Sequence, residues 1–274
     1  MYRFLLRPAW IFFHLLVAGA IVLMVNLGFW QLDRLDERRT FNAQVIERTQ
    51  EPPVELTSIL DEIADGSLTT DEAEWLPVSV QGTYLADQVV EFNNSQGGRA
   101  GDNVLTALSL DEPSAAGGDT VIVNRGFIPL GFDVPDAPAT AVTVVGYVRR
   151  TQVRDLGGVT DADDGSALTE IRRIDLDRLA LQYPGDLAPV FVQLIGGDPA
   201  PILGDPEPVV LPQLDEGSHL SYAMQWFIFS FAVAVGWVLA VRRSLGQRRS
   251  DSDKAAAVSE TERATDASPV TTSA

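Results

Sequence analysis

WIFFHLLVAGAIVLMVNLGFW, residues 10–30, decides how the rest of the chain must be read. It carries one histidine and one asparagine but no formal charge, and its length suits a bilayer hydrocarbon core of about 30 Å. A second such block, LSYAMQWFIFSFAVAVGWVLAV, fills residues 220–241 and ends against Arg242 and Arg243. Both are expected to be transmembrane helices. The first exceeds the usual signal-peptide apolar region of about 7 to 15 residues. No small-residue cleavage site follows it in Gly28-Phe29-Trp30-Gln31, so it reads as a retained anchor.

The flanking charge gives an orientation. Arg3 and Arg7 precede the first block, and Arg242, Arg243, Arg248 and Arg249 follow the second, which is the distribution of two cytoplasmic ends. Residues 1–9 are then a cytoplasmic N-terminus, 31–219 an extracytoplasmic domain, and 242–274 a basic stop with a tail expected to be disordered. That tail is rich in Ser, Thr, Ala and acidic residues and nearly without large apolar groups. Residues 31–219 hold 12 arginines, no lysine and 33 acidic side chains. So acidic a surface excludes nucleic acid as a partner and disfavours anionic headgroups, leaving the two helices as the parts that meet membrane lipid. With no cysteine, disulfide frameworks and CxxC chemistry are excluded, and having only three methionines argues against a Met-rich copper site.

After residue 30, the segment Leu32–Arg48 keeps apolar residues near helical spacing until Glu51-Pro52-Pro53, so the first helix should continue as an amphipathic arm. From Trp75 the pattern becomes short β-rich runs: Leu76–Leu85, Val89–Asn93, Val104–Leu110, Thr120–Pro129, Val142–Arg149 and Val190–Ile195. They predict a mostly antiparallel β domain of the α+β kind, a sheet or a small barrel. Leu56–Ala64 and Asp175–Gln182 read as helices, the second capped by Asp175. Asp198–Pro212 reads as an extended connector.

The chain has two histidines. His14 lies near the cytoplasmic end of the first helix and His219 at the outer mouth of the second, so helical rise keeps them on opposite membrane faces. Tyr222 and Trp226 follow His219 along one helical face, and Trp30, Gln31 and Arg34 stand at the same depth on the first helix. An imidazole above aromatic side chains, with a guanidinium able to meet carboxylates, suits a haem. The competing reading is that Trp and Tyr form an ordinary interfacial belt and the histidine is a polar boundary group. Arg34, Arg38 and Arg39, among acidic neighbours, read as a solvated face, and Arg125 as a structural ion pair. Asp161-Ala162-Asp163-Asp164-Gly165 is similar to the opening of a calcium loop but lacks its closing glutamate at the right spacing. No nucleophile, phosphate loop or acid–base set appears, so no enzymatic activity is expected.

Four segments in order carry a family resemblance: Leu27-Gly28-Phe29-Trp30-Gln31-Leu32-Asp33-Arg34, Pro77-Val78-Ser79-Val80-Gln81-Gly82-Thr83-Tyr84, Val123-Asn124-Arg125-Gly126-Phe127-Ile128-Pro129 and His219-Leu220-Ser221-Tyr222-Ala223-Met224-Gln225-Trp226-Phe227. Together they resemble the Surfeit-locus cytochrome oxidase assembly family, here as a bacterial plasma-membrane member. Phe127 stands where the family usually has tryptophan, Asn93-Asn94 where an Asn-Arg pair is frequent, and Asp215-Glu216-Gly217-Ser218 replaces a Pro/Asn-rich lead. The resemblance implies a non-enzymatic factor that helps place haem a in subunit I of an aa3-type cytochrome c oxidase. The oxidase or a haem a synthase would be its docking partner. It implies His219 as the ligand of the haem iron. Tyr222, Trp226 and Trp30 would be walls, Gln31 and Arg34 polar or propionate contacts, and Gln225 a packing or hydrogen-bonding residue. The alternative is a haem-free membrane scaffold that docks an oxidase assembly intermediate.

Overall fold

Helix α1 runs unbroken over Pro8–Arg48 in the computed structural model, which describes residues 5–114, 118–152, 167–183, 185–200 and 202–266. Arg3 and the Asp161–Gly165 cluster lie outside the described residues. The amphipathic arm is thus continuous with the apolar helix and ends just before Pro52-Pro53, where a backbone without N–H donors cannot extend it. The last helix, α5, spans His219–Asp266. It continues past Val241 into the segment whose composition suggested disorder, because Lys254 to Ala264 is rich in Ala and Glu, both strong helix formers. The chain divides into two compact units: Met1–Phe41 with Asp215–Ala274, and Asn42–Leu214.

In the first unit, α1 and α5 form an antiparallel pair. The less exposed residues of α1 include His14, Val17, Ile21, Met24, Gly28 and Gln31, steps of three and four that keep one seam toward α5. Buried Ala223 and Ser230 lie on the facing helix. Small residues let the backbones approach: a Cβ at Gly28 would come within 2.7 Å of the Phe227 ring. Phe29 meets that ring edge-on at 5.5 Å between centroids. At the far end the Trp237 indole Nε1–H donates to His14 Nδ1 at 2.9 Å. His14 is therefore a bonded member of the helix seam.

The second unit is a mixed sheet with small helices. Its elements are β1 (Val54–Glu55), α2 (Leu56–Asp65), α3 (Thr70–Ala73), β2 (Pro77–Gln96), β3 (Arg99–Leu110), β4 (Thr120–Pro129), β5 (Val142–Arg150), β6 (Glu170–Ile171), α4 (Leu176–Leu179) and β7 (Leu187–Asp198). Pairs β2–β3, β3–β4, β5–β7 and β2–β5 are antiparallel, whereas β4–β7, β1–β2 and β2–β6 are parallel. The sequence pattern of alternating residues could not reveal the parallel pairings, which depend on long connections. Pairing runs from β2 through β3, β4, β7 and β5 and returns to β2, a closed circuit of five strands. One face of all five supplies a common core, with Val80, Leu108, Val123, Val144 and Val192 among its members, and α2 adds Leu56, Ile59 and Leu60. The opposite face packs Val89, Leu105, Ile122 and Phe191 with Leu176 and Leu179 of α4.

Two expectations change in detail. Leu76–Leu85 and Val89–Asn93 are one strand, β2, with register shifts against β3 between Tyr84 and Gln88 and between Glu91 and Asn94. The polar interruption at Asp87 is absorbed as a bulge because pairing to β3 resumes on its far side. The Asp175 carboxylate does cap α4, accepting from the Arg178 N–H at 3.3 Å, but the helix closes after a single turn. The connector beyond β7 is extended yet tied down. Glu207 exchanges both backbone hydrogen bonds with Phe127, at 2.7 and 2.8 Å, and its carboxylate accepts from both terminal nitrogens of Arg99.

Candidate functional site

Gln31 of α1 and His219, the first residue of α5, come together. His219 Nδ1 lies 2.9 Å from Gln31 Oε1. With the amide oxygen as acceptor, Nδ1 carries the proton and donates, which leaves the Nε2 lone pair as the imidazole's free ligand atom. This is the arrangement in which a neighbouring carbonyl fixes the tautomer of a metal-binding histidine. Gln31, read from sequence as a polar or propionate contact, meets the histidine directly.

Two residues before His219, Gly217 adopts φ 64°, a left-handed conformation glycine reaches at little cost. A Cβ at Gly217 would stand 3.3 Å from His219 Cδ2 and 3.5 Å from Nε2. Glycine thus keeps the Nε2 edge of the imidazole clear of a side chain at position 217. Its N–H donates to the Asp215 carboxylate at 3.1 Å, closing a small turn. That turn is held from α1. The Arg39 guanidinium grips Glu216 through both carboxylate oxygens at 2.8 and 2.9 Å, and Arg38 Nε donates to the Asp215 carbonyl at 3.2 Å. The pairing keeps Glu216 below the usual carboxylate range through the Arg39 hydrogen bond and charge. Arg38 and Arg39, read from sequence as a solvated face, are the basic half of this clamp. Its acidic half is the Asp215-Glu216 pair that departs from the usual lead into the histidine, a complementarity between residues 177 positions apart.

The remaining predicted residues fall on one flank of the helix pair, with one exception. At about 100° per residue, Trp30 and Arg34 sit on the same side of the α1 seam as Tyr222 and Trp226 on that of α5, because antiparallel right-handed helices advance toward a common side. The Arg34 guanidinium lies 5.8 Å over the Trp30 ring and pairs with Glu37 at 2.6 Å. Trp30 and Tyr222 are half exposed, at 48% and 49%, so this flank offers open aromatic surface. Trp226 is partly buried and meets Phe229 edge-on at 6.3 Å. Gln225 is exposed and lies about 120° around α5 from His219, on the outside of the pair. Among the described residues no group of three or more His, Asp or Glu side chains is placed to hold a bare metal ion.

Arg125 also departs from expectation. It is buried, and instead of an ion pair it donates to Gln88 Oε1 and to the carbonyls of Pro135 and Asp136.

Two long apolar helices paired through small residues, a histidine held by a glutamine across their seam and, between them in sequence, a segment that folds as a mixed sheet define a two-helix protein class. The SURF1 family model matches residues 18–231. SURF1-like proteins of Mycobacterium bovis and Mycobacterium tuberculosis are similar at 30% identity over 242 residues, covering 85% of this chain and 83% of each relative. The chain belongs to the SURF1 family, which is linked to cytochrome oxidase assembly.

Proposed function

We propose that this protein is a membrane-anchored, non-enzymatic assembly factor for an aa3-type cytochrome c oxidase. It receives haem a at the outer mouth of its helix pair and aids its insertion into subunit I. The observation that carries the reading is the 2.9 Å contact between His219 Nδ1 and Gln31 Oε1, which frees Nε2 beside an open aromatic flank. The residues present suit the cargo. His219 offers one axial nitrogen, Trp30, Tyr222 and Trp226 offer apolar faces to a macrocycle, and Arg34 is long enough to exchange Glu37 for a propionate. The haem supplies the iron and the redox chemistry of the finished oxidase, and the protein holds and orients it.

Membrane insertion is supported by exposure. Each helix is long and apolar enough to cross a bilayer, and only 6% of its most apolar stretch is buried within the chain. Water would penalise that much apolar surface, whereas lipid would not. Gln31 to His14 spans 17 residues of α1, roughly 26 Å of helix, close to the thickness of a hydrocarbon core. Basic residues beyond that end, including Arg7, Arg242 and Arg243, support cytoplasmic termini and an outward-facing His219. A haem a synthase as donor and subunit I as acceptor complete the proposal.

Spectroscopy tests it. Protein purified from cells that make haem a should carry a haem absorption band, and His219→Ala should lose the band while the oxidase in the same cells loses haem a. A colourless wild-type preparation, with oxidase assembly still dependent on the protein, would favour the haem-free scaffold.

A further inference from the structure

The central segment contains a second site built around Arg125. In the β3–β4 ladder Val104 pairs with Gly126 and Leu105 with Asn124, so Arg125 is the extra residue of a β-bulge. A bulge turns its side chain out of the strand's alternation. The turn is locked on both sides. Asn124 Oδ1 accepts the Gly126 N–H at 3.1 Å, and Gly126 takes φ 135° with the Glu207 carbonyl pressed against the position of its missing Cβ. Such a bulge, held by a glycine no other residue could replace, is costly unless its one redirected side chain has a use.

That side chain is a guanidinium only 4% exposed. Its three hydrogen bonds go to neutral oxygens, at 2.8 Å to Gln88 Oε1, 3.1 Å to Pro135 O and 3.3 Å to Asp136 O. No carboxylate lies within ion-pair distance among the described residues, and two of its five N–H groups make no hydrogen bond there. The guanidinium lies 5.7 Å over the Tyr84 ring, and Asp205 and Asp136 act on it only from beyond ion-pair distance, so its buried charge is poorly compensated. Burial accordingly pulls the Arg125 pKa below its ordinary value. Tyr84 cannot neutralise it, since burial pushes its phenol up to about 12. The Tyr84 hydroxyl makes no hydrogen bond to a described residue.

Arg125 and Tyr84 both line a cavity of about 50 Å³, walled by Val142, Val144 and Leu194 and bordered by Asp205. A single water needs on the order of 10–15 Å³ of such space, so the cavity holds a group of roughly four heavy atoms. We propose that this cavity is a binding site for a carboxylate, paired with the free edge of the Arg125 guanidinium and with the Tyr84 hydroxyl. Asp205 sets the charge limit. Its Oδ2 is held by the Ile202 N–H at 2.8 Å, and one fixed negative charge at the rim favours a planar monoanion over a dianion such as phosphate. The carboxylate could belong to a free small acid or to an acidic side chain of a docking protein, and the test separates them.

Full-length protein in nanodiscs of zwitterionic lipid is titrated with isotope-labelled acetate at constant chloride. Saturable line broadening is expected, weakened roughly tenfold or more in Arg125→Gln, which removes a charge-assisted pair. The Arg125 guanidinium lies 5.7 Å over the Tyr84 ring, so Tyr84→Phe keeps the ring and removes only the hydroxyl. Tyr84→Phe should therefore weaken acetate binding severalfold and leave thermal melting intact, even if Arg125→Gln fails to fold. An end-blocked peptide with one central aspartate that binds tighter than acetate identifies a protein carboxylate as the occupant, and weaker binding identifies a free acid. The site is overturned if acetate does not saturate, if Tyr84→Phe binds acetate as wild type does, or if inorganic phosphate binds more tightly than acetate.

Discussion

Gln31 Oε1 and His219 Nδ1, 188 residues apart in sequence, lie 2.9 Å apart across the α1–α5 seam. The bond assigns the imidazole proton to the side facing α1 and leaves Nε2 as the only ring nitrogen able to bind iron. Two short polar side chains on separate apolar helices thus act as one unit.

Gln31→Ala should leave the protein folded but reduce haem affinity by about ten- to a hundredfold, as loss of an outer-shell partner does at other histidine sites. Gln31→Glu retains the acceptor and should retain binding. Titration of both variants with haem, followed by absorption, checks the order wild type and Gln31→Glu above Gln31→Ala. Equal affinities would remove Gln31 from the site.

Gly28 packs directly against Phe227 on the seam, and a Cβ at Gly28 would stand 2.7 Å from the ring. Gly28→Val should weaken the pair by about 1–3 kcal/mol, the usual cost of overpacking. Combining it with Phe227→Ala should recover part of that loss. The chain has no cysteine of its own. Disulfide formation between engineered cysteines on the two helices therefore reads the pairing directly, and a double variant no better than Gly28→Val would argue against this contact.

The missing cysteines also permit a topology test. Ser95→Cys lies exposed on β2 and Ser250→Cys exposed on α5. In intact cells an impermeant maleimide should label the first and reach the second only after permeabilisation. The opposite pattern would invert the proposed orientation.

Glu91 is buried on β2 and accepts a hydrogen bond from Asn103 Nδ2 at 2.8 Å. Burial raises its pKa above the ordinary 4.5, against the lowering effect of that bond. Its favourable contribution is therefore complete below about 4.5 and is lost as pH climbs through the raised folded-state value, because the unfolded state ionises first. Glu91→Gln keeps the acceptor without the charge. Thermal melting of the variant should match wild type at acid pH and exceed it at neutral pH, and a constant difference across the range would contradict the assignment.

Much of this was legible in the residues themselves. Apolar length alone marks α1 and α5, since no other element of this chain could keep so long an uncharged run, and Thr120–Pro129 was delimited by its flanking turns to the residue. His219 stood out because the chain offers one other histidine, at the far end of the pair. The parallel β4–β7 pairing, the closed strand circuit, the Arg39–Glu216 clamp and the unpaired burial of Arg125 were not legible. Each joins segments distant in sequence whose local patterns are compatible with several partners. Hydrophobic periodicity fixes which residues turn inward, but it carries no address for what they meet. Only the tertiary structure decided that Gln31 meets His219 and that a bulge carries Arg125 into a cavity, because both depend on which backbones close against one another in space.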